Sequence, residues 1–149
     1  MSAPLLYLDT SAWLKLYVEE AGSEAMHTLV TATPQICTHL IAYAELRAAL
    51  AKAERMQRLN AADKAQIIIR LDEDWQSLNV VLPTDMLIRR AGHLCDLFGL
   101  RAYDSIHLAA AEALSFQIMP QRLSFACFDH KLNAAAHALG MGVLSGSLS

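Results

Sequence analysis

The sequence predicts an α/β fold: a three-layer α/β/α sandwich around a central, mostly parallel sheet. Short apolar runs alternate with longer helical stretches along the whole chain. Strands separated by helical crossovers imply a parallel sheet covered on both faces. The chain has 149 residues, 54% hydrophobic and 18% charged, so it can bury one sizeable core and is too apolar to stay disordered. Alanine fills 25 positions and favours helix wherever the pattern permits. With no repeat, low-complexity tract or linker, residues 1–149 are expected to form a single domain.

The apolar run Leu5–Leu8 is the first expected strand. Thr10 and Ser11 then lead into a helix over Ser11–Val18, followed by a second over Ser23–Thr31. Pro34 breaks the pattern before the strand Gln35–His39. In the next helix, Leu40–Arg58, the positions Leu40, Tyr43, Ala44, Leu46 and Leu50 keep near-helical spacing, so one side faces a core. A helix over Ala61–Trp75 precedes the strand Leu78–Leu82, which Pro83 ends. Helices over Thr84–Phe98 and Asp104–Phe116 are separated at Gly99. After Pro120 come the strand Leu123–Phe128, the helix His130–Leu139, and a last strand over Met141–Leu144 among Gly140 and Gly142.

The charge balance is slightly acidic, 12 Lys+Arg against 15 Asp+Glu, net −3. Cys37, Cys95 and Cys127 are far apart and form no CxxC pair, which argues against a zinc cage or a disulfide framework and fits a reducing compartment. No apolar run approaches the roughly 20 residues that span a bilayer. The first basic residue is Lys15, and Asp9 falls where a signal peptide is most apolar. A cytoplasmic protein with no membrane attachment is expected.

The acids are informative by position. Asp9 directly follows LLYL, and Asp129 directly follows LSFACF. A polar residue that ends a buried parallel strand lies at the carboxyl edge of the sheet, where open α/β sheets bind ligands. Glu45 lies in the first turns of a helix that starts at that same edge, so three carboxylates converge by topology. Asp104 opens a helix, but two helices lie between strands three and four, and chain direction leaves its edge undecided. Carboxylates about 4 Å apart repel by about 4 kcal/mol at an effective dielectric near 20. Such a cluster must bind protons, pair with cations or hold a metal. No Lys or Arg shares an obvious face with Asp9 or Glu45, and Arg47 points away. Oxygen-only ligands select Mg²⁺ or Mn²⁺ over zinc. The matching chemistry is hydrolysis of a phosphodiester by metal-activated water.

Four segments together resemble the PIN-domain family, specifically the VapC-type toxins of bacterial toxin–antitoxin pairs. They are YLDTSAWLKLYVEE with Asp9, Thr10 and Ser11; AYAELRAAL with Glu45; LRAYDSIHLAAA with Asp104 and His107; and FACFDHKLNAAAHALGMGVL with Asp129. A lone D-T-S would be weak, but four acids in matching order and context across nearly the whole chain are specific. The resemblance implies an Mg²⁺- or Mn²⁺-dependent endoribonuclease that cuts RNA and acts as the toxin of such a pair. It places Asp104 in the acidic pocket, and it implies a homodimer silenced by a cognate antitoxin resembling VapB that reaches into the active site. Asp9 and Asp104 are then expected to bind metal directly, with Glu45 and Asp129 ligating directly or through water.

The supporting residues stay more open. Capping of the first helix is the expectation for Thr10, while Ser11 divides between capping and holding Asp9 or a water. His107 shares a helix face with Asp104, three residues on, and offers a phosphate contact, a hold on an acid, or simple packing. His130 and Lys131 follow Asp129 and suit either substrate contact or a solvated helix start. Six basic residues from Arg47 to Arg70 face only Glu54 and Asp63, which suits an RNA backbone or an exposed hairpin equally. Tyr7, Trp13, Tyr17 and Tyr43 are expected in the core or at a dimer contact.

Two other classes compete. A phosphoacceptor receiver domain also gathers acids at a sheet edge, but Asp9 is alone in its segment and the third strand ends in Leu82-Pro83, without an acceptor acid. A non-catalytic PIN-fold module binding RNA or protein is the stronger alternative, and the presence of all four acids argues against it.

Overall fold

The structure is a computed structural model that describes residues 5–144. The elements run β1 (Leu6–Leu8), α1 (Thr10–Leu14), α2 (Ser23–Ala32), β2 (Ile36–His39), α3 (Ile41–Arg55), α4 (Ala61–Trp75), β3 (Asn79–Val81), α5 (Asp85–Phe98), α6 (Ala102–Gln117), β4 (Ser124–Ala126), α7 (His130–Ala138) and β5 (Gly142–Val143). All strand pairs are parallel, in the order β3-β2-β1-β4-β5.

Alternation along β1 splits the core in two, as strand pleating requires. Leu5 and Tyr7 pack with Cys37, Phe125 and the inner faces of α5, α6 and α7. Leu6 and Leu8 pack on the other side with Ala12, Trp13, Met26, Leu46, Leu50, Ile67 and Leu71 from α1 to α4. The middle layer is thus buried on both faces, which explains why its strands read as unbroken apolar runs.

Element limits differ from the sequence expectation mainly at ends. The first helix is shorter than expected, closing at Leu14 before a succession of turns, because Lys15, Leu16 and Tyr17 bond to carbonyls three residues back. The helix at Asp104 begins earlier, at Ala102, with Arg101 as its cap residue. Gly99, at φ 66, ends α5 in the left-handed conformation that glycine tolerates.

Two features place the site. The chain steps outward from β1 to β2 and β3, then returns to β4 on the other side of β1. This reversal opens a crevice beyond the carboxyl ends of β1 and β4, the usual ligand position in open α/β sheets. Second, α5 and α6 form an antiparallel hairpin. Arg90 reaches Glu112 with paired 2.8 Å bonds, and Cys95 reaches Ser105 at the hairpin's turn end. That hairpin carries the start of α6 back to the acids, which chain direction alone left undecided.

Candidate active site

A pocket of about 320 Å³ opens at the carboxyl edge of the sheet, lined by Asp9, Thr10, Ser11, Glu45, Arg101, Asp104, His107, Phe128 and Asp129. All four acids picked from the sequence, and the three supporting residues, therefore meet at one place.

Asp9 leaves β1 and caps α1. Its Oδ1 accepts the Ala12 amide at 3.0 Å and the Ser11 hydroxyl at 2.7 Å. Ser11 Oγ in turn accepts the Phe128 amide, which ties the end of β1 to the loop after β4. Asp9 is 5% exposed. Burial pushes its carboxyl up from 3.8 to about 6, against the lowering influence of His107, Ser11 and Ala12, with Asp104 adding to the rise. Thr10 does not cap the helix as expected: it lies within α1, and its hydroxyl donates to Glu45 Oε1 at 2.7 Å instead. Asp9 takes the capping role because its carboxylate already stands at the helix start, where amides lack partners.

Glu45 Oε1 also meets His107 Nε2 at 2.8 Å. Partial burial pushes the Glu45 carboxyl up, but the bond and charge of His107 and the Thr10 hydroxyl outweigh it, and the net shift is down. Asp104 pairs with Arg101 Nε at 3.0 Å across the first turn of α6. Asp129 caps α7 through the Leu132 amide at 2.9 Å. Phe128 closes the rim. Its ring lies under the Lys15 ammonium, 4.4 Å from the centroid, and against Gly22 at φ 94, where an added Cβ would stand 2.7 Å from the ring.

Sequence reasoning missed Arg101. Its signal was an i, i+3 pairing with Asp104 at a helix start. The guanidinium is largely exposed, so it screens Asp104 without filling the pocket. Tyr7 was read as core, and it is fully buried, but its hydroxyl lies 2.7 Å from His107 Nδ1 behind the pocket wall. Trp13 and Tyr17 are buried as expected, while Tyr43 is half-buried and donates to Asp72. His130, Lys131 and the basic stretch from Arg47 to Arg70 do not line the pocket.

The residues able to hold a cation are Asp9, Glu45, Asp104 and Asp129, an all-oxygen donor set that suits a hard ion. Among the described residues, no three acid, histidine or cysteine side chains converge into a ready-made cage. Mg²⁺ characteristically takes one or two carboxylates and keeps several waters, so a loose set in a wet pocket fits it.

A parallel sheet in this order, with acids from the end of β1, α3, α6 and the β4–α7 junction around one crevice, defines a class of α/β protein with an acidic pocket at the carboxyl edge of the sheet. The PIN domain profile matches residues 6–137, and the chain belongs to the PIN-domain family. Its relatives within that family include VapC ribonucleases. It is 34% identical to ribonuclease VapC45 of Mycobacterium tuberculosis over 145 residues, which is 97% of this chain and 98% of that one. Solved structures with the same fold include Mycobacterium tuberculosis VapC20, described as a toxin cleaving the sarcin–ricin loop (TM-score 0.63, 20% identity, 87% of this chain and 94% of that chain). A toxin–antitoxin complex from Klebsiella pneumoniae also matches (TM-score 0.61, 20% identity, 95% and 97%).

Proposed function

We propose that the protein is a metal-dependent endoribonuclease acting as the toxin of a toxin–antitoxin pair. The observation that carries the reading is the meeting of four carboxylates in one open pocket, in a chain that aligns end to end with a VapC ribonuclease. Asp9 and Asp104 would hold Mg²⁺ or Mn²⁺ directly, and Glu45 and Asp129 would do so directly or through water. The ion, when bound, supplies the positive charge that activates water and offsets charge on the leaving oxygen. The chain's own residues supply the rest. Glu45 meets Thr10 and His107 through Oε1, and Oε2 would be the oxygen that ligates the ion or takes a proton from water. Arg101 offers its guanidinium to an RNA phosphate at the pocket mouth. Ser11 and the Ala12 amide keep Asp9 fixed, so its carboxylate need not reorganise as substrate arrives.

The same reading includes a VapB-like antitoxin that enters this pocket, a cytoplasmic setting, and a homodimer formed through apolar helix surfaces. Among the described residues no helix is long and apolar enough to cross a membrane. Leu82, Met86 and Phe116 stand exposed beside a cavity between α5 and α6, which supports a covered surface there. Sedimentation that gives a monomeric mass would overturn the dimer.

Cleavage of RNA by the purified protein tests the central claim. Cleavage should require Mg²⁺ or Mn²⁺, stop in EDTA, and vanish in Asp9→Asn and Asp104→Asn while the fold persists. Undiminished cleavage by either variant would remove the mechanism. Sequencing of RNA ends after brief expression would identify the target.

A further inference from the structure

From the pocket wall a chain of contacts runs into the core, and the proposed reaction uses only its outermost member, Glu45, directly. Tyr7 is 0% exposed and His107 is 2% exposed. Tyr7 Oη lies 2.7 Å from His107 Nδ1, and His107 Nε2 lies 2.8 Å from Glu45 Oε1. Thr10 donates to the same Oε1 at 2.7 Å. We propose that His107 is a positioning residue for Glu45, and that Tyr7 holds the ring in the orientation through which it acts.

Donors and acceptors decide which ring nitrogen faces Glu45. A carboxylate oxygen only accepts, so the nitrogen facing Glu45 must carry the proton. A neutral ring protonated on Nε2 takes the Tyr7 proton at Nδ1, and a charged ring donates from Nδ1 to the Tyr7 oxygen; either way the 2.7 Å contact holds the ring in place. The opposite tautomer would set a bare Nε2 against Oε1 and leave two lone pairs face to face. Tyr7 itself cannot turn away: its ring stacks on Phe125 with centroids 5.5 Å apart and planes within 5°. The two hydrogen bonds to Oε1 then occupy one carboxylate oxygen, fix the rotation of the group and leave Oε2 to act alone in the pocket. Partners of this kind, one shell behind a ligand, commonly change metal affinity or activity by about 10–100-fold when removed.

This inference rests on the metal-ribonuclease reading, and the experiment separates the two. Four variants are compared with wild type: His107→Leu, His107→Gln, Tyr7→Phe and the double Tyr7→Phe/His107→Gln. The readouts are Mn²⁺ affinity by electron paramagnetic resonance, kcat and KM for RNA cleavage, and thermal melting. His107→Leu should lose at least about tenfold in Mn²⁺ affinity or kcat, with KM little changed. His107→Gln, whose amide nitrogen restores a donor near Nε2, should recover most of that loss. Tyr7→Phe keeps the stacked ring and should lower kcat several-fold, yet cost almost nothing in the His107→Gln background, because the imidazole that Tyr7 holds is no longer there. Wild-type behaviour of His107→Leu in an active, Mn²⁺-binding protein overturns the inference alone. So does a Tyr7→Phe cost that persists undiminished beside His107→Gln, which would make Tyr7 a packing residue. Should His107→Leu fail to fold, the Tyr7→Phe and His107→Gln comparison decides. Wild-type cleavage that survives EDTA overturns both readings.

Discussion

At the residue scale, the most informative group is Asp9. A buried carboxyl raised from 3.8 to about 6 opposes folding at neutral pH by about 3 kcal/mol. The sign follows from proton counts. Between pH 3.8 and about 6 the folded protein holds a proton that the unfolded chain has released, so stability falls as pH rises through that window. Above it the penalty is constant. Asp9→Asn keeps an oxygen for the Ala12 amide and removes the charge. Metal-free Asp9→Asn should therefore melt a few degrees above metal-free wild type at pH 7, and the gap should close near pH 4; calorimetry across that range checks it. Arg101 is the other residue to test. Arg101→Gln should weaken RNA binding and make it less salt-dependent by about one counterion, read from affinity at several salt concentrations. Asp9 and Asp129 were legible because each ends an apolar run, and Glu45 because its helix must start at the same edge. Arg101 and the Tyr7–His107 contact were not, since neither sequence distance nor hydrophobic period records that residues 7, 45 and 107 meet.

At the scale of elements, two of the acids carry a second duty as helix caps. Asp129→Asn preserves a good capping side chain, whereas Asp129→Ala removes it. Both should impair cleavage, but only Asp129→Ala should lose about 1 kcal/mol of stability, measured by urea unfolding. A residue remote from the pocket gives the contrast. Leu50 in α3 is fully buried, and Leu50→Ala should cost about 2–5 kcal/mol by the same measurement. Helices α4 and α7 were readable almost to the residue, because Asn60 and Asp129 cap them with side-chain bonds. The short α1 was not, as the turns that follow it are held by tertiary packing of Trp13 and Tyr17. Nor was the α5–α6 hairpin, whose direction depends on the Arg90–Glu112 and Cys95–Ser105 contacts across it.

For the whole molecule, the alternation of strand and helix fixed the layer architecture, because a sheet buried on both faces leaves the chain few alternatives. Strand order was harder to read, but it determines which loops share the crevice. If the crevice holds an ion, saturating Mn²⁺ should raise the melting temperature of the wild type. A hundredfold excess over Kd corresponds to about 2.7 kcal/mol. Asp9→Asn and Asp104→Asn should show little of that rise. An unchanged midpoint at saturating Mn²⁺ would favour a non-catalytic binding module.

The double duty of Asp9 and Asp129 has a consequence for control. Each sits where a strand hands the chain to a helix, and the same amides that start the helix hold the carboxylate in place. A molecule that has acquired its secondary structure has therefore already mounted its blades. Restraint of such a molecule would have to sheathe the finished edge from outside, since blunting it from within would mean unravelling α1 or α7.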